Sequence, residues 1–226
     1  MLIIAIDTSG RKGSVALCRG DADSFEVLQL TSLEGGTYSA QLMPTISHAL
    51  EEQGLDKTDL DGFVVVSGPG SFTGLRVGLA TVKGLCEVLQ KPLAMVSMLE
   101  AVALSYGRTS DTATTVLDAG RGEVYVGEYL VSTGSAAVVR EYITKLDEFT
   151  EDARAIVGDL LTPDAKVGER LRAADLDIKL IASLQANQIG RIGLRKLLAG
   201  DLADPATVDV NYIRRSDAEI FSAPKH

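Results

Sequence analysis

The feature that most constrains the fold of this chain is an internal repeat. Ile4-Ala5-Ile6-Asp7-Thr8-Ser9-Gly10-Arg11 sets an apolar strand, an Asp, a turn of small residues and an Arg ahead of a second strand-like stretch. Val116-Leu117-Asp118-Ala119-Gly120-Arg121 does the same in the second half. A sequence that repeats its order of elements builds the same unit twice, so the search for a fold narrows to duplicated modules.

The patterning around each copy supports this. Apolar alternation and short apolar runs predict strands near 2–6, 13–18 and 25–30, a helix over 39–53, a strand at 62–66, a helix from about 73 to 90, a strand at 92–96 and a helix over 98–106. The second half reads as strands near 113–118, 123–131 and 136–143, a short helix near 145–150, a strand at 154–158, a helix over 164–173, a strand at 177–181 and a helix over 184–199. The polar stretch around Arg108 to Thr112 suits a junction. The expected fold class is α/β: two tandem ribonuclease-H-like modules, an actin-like (ASKHA) duplication of mixed sheets flanked by helices. The expected domains are 1–110 and 111–226, with the last helix and the tail packing back on the first.

The loudest local signal is Ser67-Gly68-Pro69-Gly70-Ser71-Phe72-Thr73-Gly74-Leu75-Arg76-Val77-Gly78, which follows the apolar run Phe63-Val64-Val65-Val66. A buried strand that empties into a glycine loop and then a helix gathers unpaired backbone N–H groups, which favours an anion. The spacing fits no phosphate motif. No Gly-Lys-Ser/Thr follows at the P-loop distance, and Thr73 stands where a dinucleotide fingerprint needs its third glycine. Gly78 and Gly84 lie within the predicted helix, each unfavourable there by roughly 0.8–1 kcal/mol relative to alanine. Gly74 and Gly78 are four apart and share one face, where a second backbone can come close. Three readings stand: a packing surface, within the chain or with a partner; a phosphate cradle; or a tight turn.

The helix over 39–53 carries Leu42, Ile46, Ala49 and Leu50 at helical spacing. This stripe either covers the sheet or joins the glycine-bearing helix in a pair exposed to another subunit. Pro44 is tolerated in a first turn but not in an interior, so the helix is expected to begin later than Ser39.

The chemistry-bearing residues are sparse. Cys18 and Cys86 have neither disulfide-framework nor metal spacing, and they read as small buried hydrophobes. The histidines are His48 and His226, so neither a zinc set nor a Ser-His-Asp triad can be assembled; no catalytic residue and no metal ligand is assigned. Asp7 and Asp118, at matching hairpin tips, are candidates for paired carboxylates near a phosphate, with Ser9, Gly70 and Ser71 as companion anion or nucleotide contacts. An Asp at a strand end also commonly holds the N–H groups of its own turn. The formal net charge of −9 argues against the chain alone gripping a polyanion. Basic residues at Arg191 to Lys196 and at Arg214-Arg215 read as a solvated face and a chain end. The apolar runs are far shorter than the ~20 residues of a membrane helix. Asp7 breaks the first of them, so a cytoplasmic protein without membrane association is expected.

Four segments, in order and spacing, resemble the bacterial TsaB (YeaZ) family: Ile6-Asp7-Thr8-Ser9, Gly68 to Gly78, Arg121-Gly122-Glu123-Val124-Tyr125 and Tyr212-Ile213-Arg214. The resemblance spans nearly the whole chain, and the glycine-rich string is its most specific part. It implies a non-catalytic subunit that scaffolds and activates a TsaD-like catalytic subunit in making N6-threonylcarbamoyladenosine in tRNAs reading codons that start with A. A TsaE-like ATPase joins them, and tRNA is met only through the complex. The isolated chain is implied to carry no cofactor, with ATP or ADP and Mg confined to the complex, and to dimerise with itself when alone. The pairing surface is implied to lie on the helices at 39–53 and 73–90, and so on Leu42, Ile46, Leu50, Phe72, Gly74, Leu75, Gly78, Leu79 and Val82. The histidine metal motif of TsaD has no counterpart here, and many relatives carry His where this chain has Tyr38. The alternative from the residues themselves is an actin-like small-molecule kinase or ATPase that uses Asp7 and Asp118.

Overall fold

The computed structural model describes residues 1–106, 110–211 and 213. In the first half, β1 (Leu2–Asp7), β2 (Lys12–Gly20), β3 (Phe25–Glu34), α1 (Tyr38–Glu52), β4 (Gly62–Gly68), α2 (Phe72–Leu89), β5 (Leu93–Ser97) and α3 (Met98–Ser105) follow in order. The second half contains β6 (Thr112–Gly120), β7 (Glu123–Ser132), β8 (Ser135–Lys145), α4 (Leu146–Asp152), β9 (Asp159–Thr162), α5 (Ala165–Ala173), β10 (Ile178–Leu180) and α6 (Ala186–Ala199).

Each half builds one five-stranded mixed sheet, β3-β2-β1-β4-β5 and β8-β7-β6-β9-β10. In both, the first three strands form an antiparallel meander and the fourth and fifth add in parallel. The two topologies are identical, so the fold is the duplicated α/β module expected from the repeat.

Sequence explains the central strands. Every residue of β1 and β4 is buried, the near-continuous apolar pattern of strands covered on both faces. Val64 and Val65 are consecutive and point to opposite sides, one toward Gly193 of α6 and the other toward Gly78 of α2. The first sheet is therefore sandwiched between α2 and α6. Gly190 and Gly193 let α6 sit low on it: a Cβ at Gly193 would stand 2.2 Å from a Val64 methyl, and one at Gly190 3.1 Å from Ala5 Cβ. The Lys196 ammonium, 3.0 Å from the Glu100 carboxylate, ties α6 to the first turn of α3.

Among the described residues, compactness divides the chain into Met1–Ala101 with Leu184–Val210, and Val102–Ser183 with Asn211. The second unit has its own core of Val116, Val124, Val126, Leu146, Phe149, Leu160, Val167 and Leu171.

Two expectations are corrected. The strand expected at 154–158 is β9, at Asp159–Thr162. Residues Ala153–Ala155 instead extend α4 as a tight turn. Gly158 then takes φ 116° directly against Thr112, and pairing starts only beyond it. Helix α1 begins at Tyr38 and contains Pro44 in its interior. Pro44 and Ala40, whose carbonyl loses its helical donor, both lie on the exposed face, where water can serve that carbonyl.

Candidate functional site

The β1–β2 hairpin tip, the glycine loop and α2 form one tightly closed structure. Asp7, Thr8 and Ser9 are buried. Asp7 Oδ1 accepts from the Ser9 N–H at 2.9 Å and the Ser9 hydroxyl at 2.6 Å. Burial pushes the Asp7 carboxyl above its ordinary range, against the pull of those two hydrogen bonds. The Tyr38 hydroxyl donates to Gly10 O at 2.9 Å, and its ring fills the space where a Cβ at Gly13 would stand, 2.8 Å away. Where many relatives are implied to have a His, this chain has a buried phenol that pins the hairpin.

The glycine loop docks onto that tip. Ser71 N–H donates to Ser9 O at 2.6 Å, and a Cβ at Gly70 would lie 2.4 Å from the same oxygen. Thr8 Oγ1 donates to Gly74 O at 2.8 Å. Ser71 Oγ caps α2 by accepting from Gly74 N–H at 3.3 Å. A Cβ at Gly74 would come within 2.0 Å of Thr8 O, and one at Gly78 within 2.4 Å of Thr8 Oγ1. The close approach that Gly74 and Gly78 admit is thus made by the chain's own hairpin, through the Thr8 carbonyl at Gly74 and the Thr8 hydroxyl at Gly78. Within the loop the amide of Ser71 is engaged by Ser9 O, and Ser9 fills the space at Gly70.

Asp118 serves its own turn as well. Its Oδ1 accepts from Gly120 N–H, and its N–H donates to Asp164 Oδ2, both at 2.8 Å. Asp7 and Asp118 belong to different compact units. The thiols of Cys18 and Cys86 are buried, which pushes them up to about 12 and about 11, far from a neutral-pH nucleophile. His48 is exposed, with Nε2 3.3 Å from Glu52. No group of three or more potential metal ligands occurs among the described residues. Arg191 lies 4.7 Å over the Phe25 ring. Tyr212, Arg214, Arg215 and His226 lie outside the described residues.

The apolar stripes face inward. Leu42, Ile46, Leu50, Leu75, Leu79 and Val82 are all buried in the chain's own core, as the sheet-covering reading requires. Of the nine residues expected on the pairing surface, Phe72 alone is exposed, with the Arg76 guanidinium 3.8 Å over its ring.

The outer face of the two helices consists of other residues. Phe72, Arg76, Ala80, Gly84 and Val88 follow at four-residue steps along α2, and all five are exposed, Val88 by 76%. On α1 the outward stripe is Ala40, Met43, Pro44 and Ser47. The signal for this row was present in Gly84, the one helix glycine of α2 with nothing within 4 Å of its would-be Cβ. Packing against the chain itself accounts for Gly74 and Gly78 but not for Gly84.

Comparison with known proteins agrees with this architecture. The family model described as TsaD, tRNA N6-adenosine threonylcarbamoyltransferase, matches residues 35–192. The chain is 36% identical over 134 residues to the tRNA threonylcarbamoyladenosine biosynthesis protein TsaB of Bacillus subtilis, covering 59% of this chain and 57% of that protein. For the Escherichia coli protein of the same name the identity is 36% over 132 residues, with 57% and 55% covered. These matches therefore span little more than half the length of the curated relatives. Among solved structures, YeaZ from Pseudomonas aeruginosa shares the fold with a TM-score of 0.72 at 23% identity, over 93% of this chain and 99% of that one. No described helix is long and apolar enough to cross a membrane. The chain belongs to the TsaD family.

Proposed function

We propose that this chain is a non-catalytic accessory subunit in the formation of N6-threonylcarbamoyladenosine in tRNA, and that it pairs with a TsaD-like catalytic subunit through the outer face of α1 and α2. The observation that carries the reading is the exposed row Phe72, Arg76, Ala80, Gly84 and Val88. Residues four apart form the ridges that interdigitate when two helices cross, and small residues midway along a ridge let the axes approach. Gly84 is unfavourable in a helix by roughly 0.8–1 kcal/mol, and a partner helix seated on it offsets that loss. Covering Val88, Phe72 and Met43, which are exposed by 76%, 37% and 46%, removes apolar surface from water.

The remaining chemistry supports an accessory role. The buried carboxylate, the turn-bound Asp118 and the high-pKa thiols are each occupied structurally. A chain of net charge −9 meets tRNA through its partner. The same face serves a homodimer when the partner is absent, and a TsaE-like ATPase completes the assembly. The test is co-purification with the TsaD-like subunit of the same organism. Ala80→Arg, which adds bulk to an exposed helix site, is expected to abolish recovery of the pair while leaving the melting temperature unchanged. Undiminished recovery would remove the assigned surface. Nucleotide hydrolysis by the pure chain, lost on Asp7→Asn, would favour the kinase or ATPase alternative instead.

A further inference from the structure

A lysine stands beside the small residues of the outer ridge of α2, and the chain holds it aside. Lys83 precedes Gly84 and lies one turn from Ala80, so its stem is rooted at the edge of the stretch where the ridge is lowest. A lysine loose in water sweeps the surface around its Cα and keeps more rotamer freedom than most side chains. This one is anchored. Its Nζ donates to Val208 O at 3.0 Å, and the residue is partly buried while Ala80 and Gly84 are exposed.

The acceptor belongs to a built structure. After α6 the chain runs on as a strap, in which Ala203 makes a single antiparallel bridge to Leu93 of the edge strand β5, its N–H donating to Leu93 O at 2.8 Å. The strap's other end is fixed by Val210, which is buried. Between these anchors Asp204 closes a turn: its Oδ1 accepts from Ala206 N–H and its Oδ2 from the Thr207 hydroxyl, both at 2.9 Å, and its carbonyl accepts from Val208 N–H at 2.9 Å. The Ala206 N–H and the Thr207 hydroxyl, with the charge of Lys83 behind them, hold the Asp204 carboxyl below its ordinary range. The ammonium therefore meets both a carbonyl and a negative charge on the strap.

We propose that the strap is a positioning device for the pairing face: by taking the Lys83 ammonium onto the Val208 carbonyl, it keeps that side chain off the Ala80–Gly84 crossing point before the TsaD-like subunit arrives; this rests on the pairing reading above. A helix seated over Ala80 and Gly84 excludes any long side chain rooted between them, and ordering such a side chain on binding costs affinity. Held on the strap, Lys83 has already given up its freedom in the unpaired chain. The crossing is left open at no further cost. Lys83 is thus a positioning residue that acts by being absent from the contact.

A double-mutant cycle, read by calorimetric titration of the purified TsaD-like subunit, tests this. Asp204→Ala opens the turn and frees the ammonium, and is expected to weaken binding about three- to tenfold. Lys83→Ala leaves no side chain to hold aside, and is expected to bind as tightly as the native chain. In the Lys83→Ala background, Asp204→Ala is expected to change the affinity by less than about twofold. A strap that merely supports the fold weakens binding equally in both backgrounds, and that result overturns the proposal. Weaker binding by Lys83→Ala alone would make the lysine a direct contact and equally overturns it, as does unchanged affinity in Asp204→Ala. Should Asp204→Ala melt far below the native chain, Thr207→Val, which removes one hydroxyl from the same turn, repeats the cycle with the same expectations. Failure of the native chain itself to bind would instead sink the pairing reading.

Discussion

Thr8 governs the residue scale: its carbonyl and hydroxyl occupy the space that side chains at Gly74 and Gly78 would take. Gly74→Ala therefore forces hairpin and helix apart, and it is expected to lower stability by about 1–3 kcal/mol in a denaturant melt. The loss appears in the isolated chain, which separates it from an interface effect. Asp7 behaves differently, because burial raises its pKa above the usual 3.8. The folded chain then binds the proton more tightly than the unfolded one, so its contribution is full below that value and is lost as pH rises through the folded pKa. Asn at this position still accepts both Ser9 hydrogen bonds and cannot ionise. Asp7→Asn is thus expected to melt higher at pH 7 than the native chain and to lose the decline in stability on the alkaline side of 3.8. Equal melting temperatures across that range would show that Asp7 carries no buried charge. These details were only partly legible in the sequence. The glycines announced a close approach, but the approaching Thr8 belongs to a hairpin 66 residues away and its place is a tertiary fact.

At the scale of elements, α2 has two faces with opposite requirements. Its inner face, with Gly74, Leu75, Gly78, Leu79 and Val82, is fixed by the chain itself; its outer ridge is open. Gly84→Ala separates them. Alanine meets nothing there, so the isolated chain is expected to gain roughly 0.8–1 kcal/mol from helix propensity. The added methyl stands in the proposed crossing, so pairing is expected to weaken even as the fold gains. A variant that both stabilises and pairs normally would place the crossing elsewhere. Helical periodicity identified the stripe of Leu42, Ile46 and Leu50 correctly as a face, and the sheet it covers decided which way that face points. Periodicity also drew β9 too early, since Arg154 to Gly158 has strand-like residues but meets Thr112 where a ladder would need to form.

For the whole molecule, the repeat was the most legible feature, because hairpin, crossover helix and parallel strands each leave a local pattern and both copies leave the same one. The place of α6 was less so: its contacts are with strands near the other end of the chain, and its local marks are Gly190 and Gly193 in an otherwise ordinary amphipathic helix. Because α6 covers one face of the first sheet, a chain ending at Ser183 is expected to be insoluble, with Ala5, Cys18 and Val64 uncovered. Soluble, cooperatively melting material from that truncation would show the first sheet to be self-sufficient. The outer ridge of α1 and α2 is the surface proposed to receive a TsaD-like subunit. Calorimetric titration of that subunit with the native chain and with Ala80→Arg tests it most directly. Saturable binding by the native chain is expected, with at least a tenfold loss, about 1.4 kcal/mol, in the variant at an unchanged melting temperature. Equal affinities for the two proteins would contradict it.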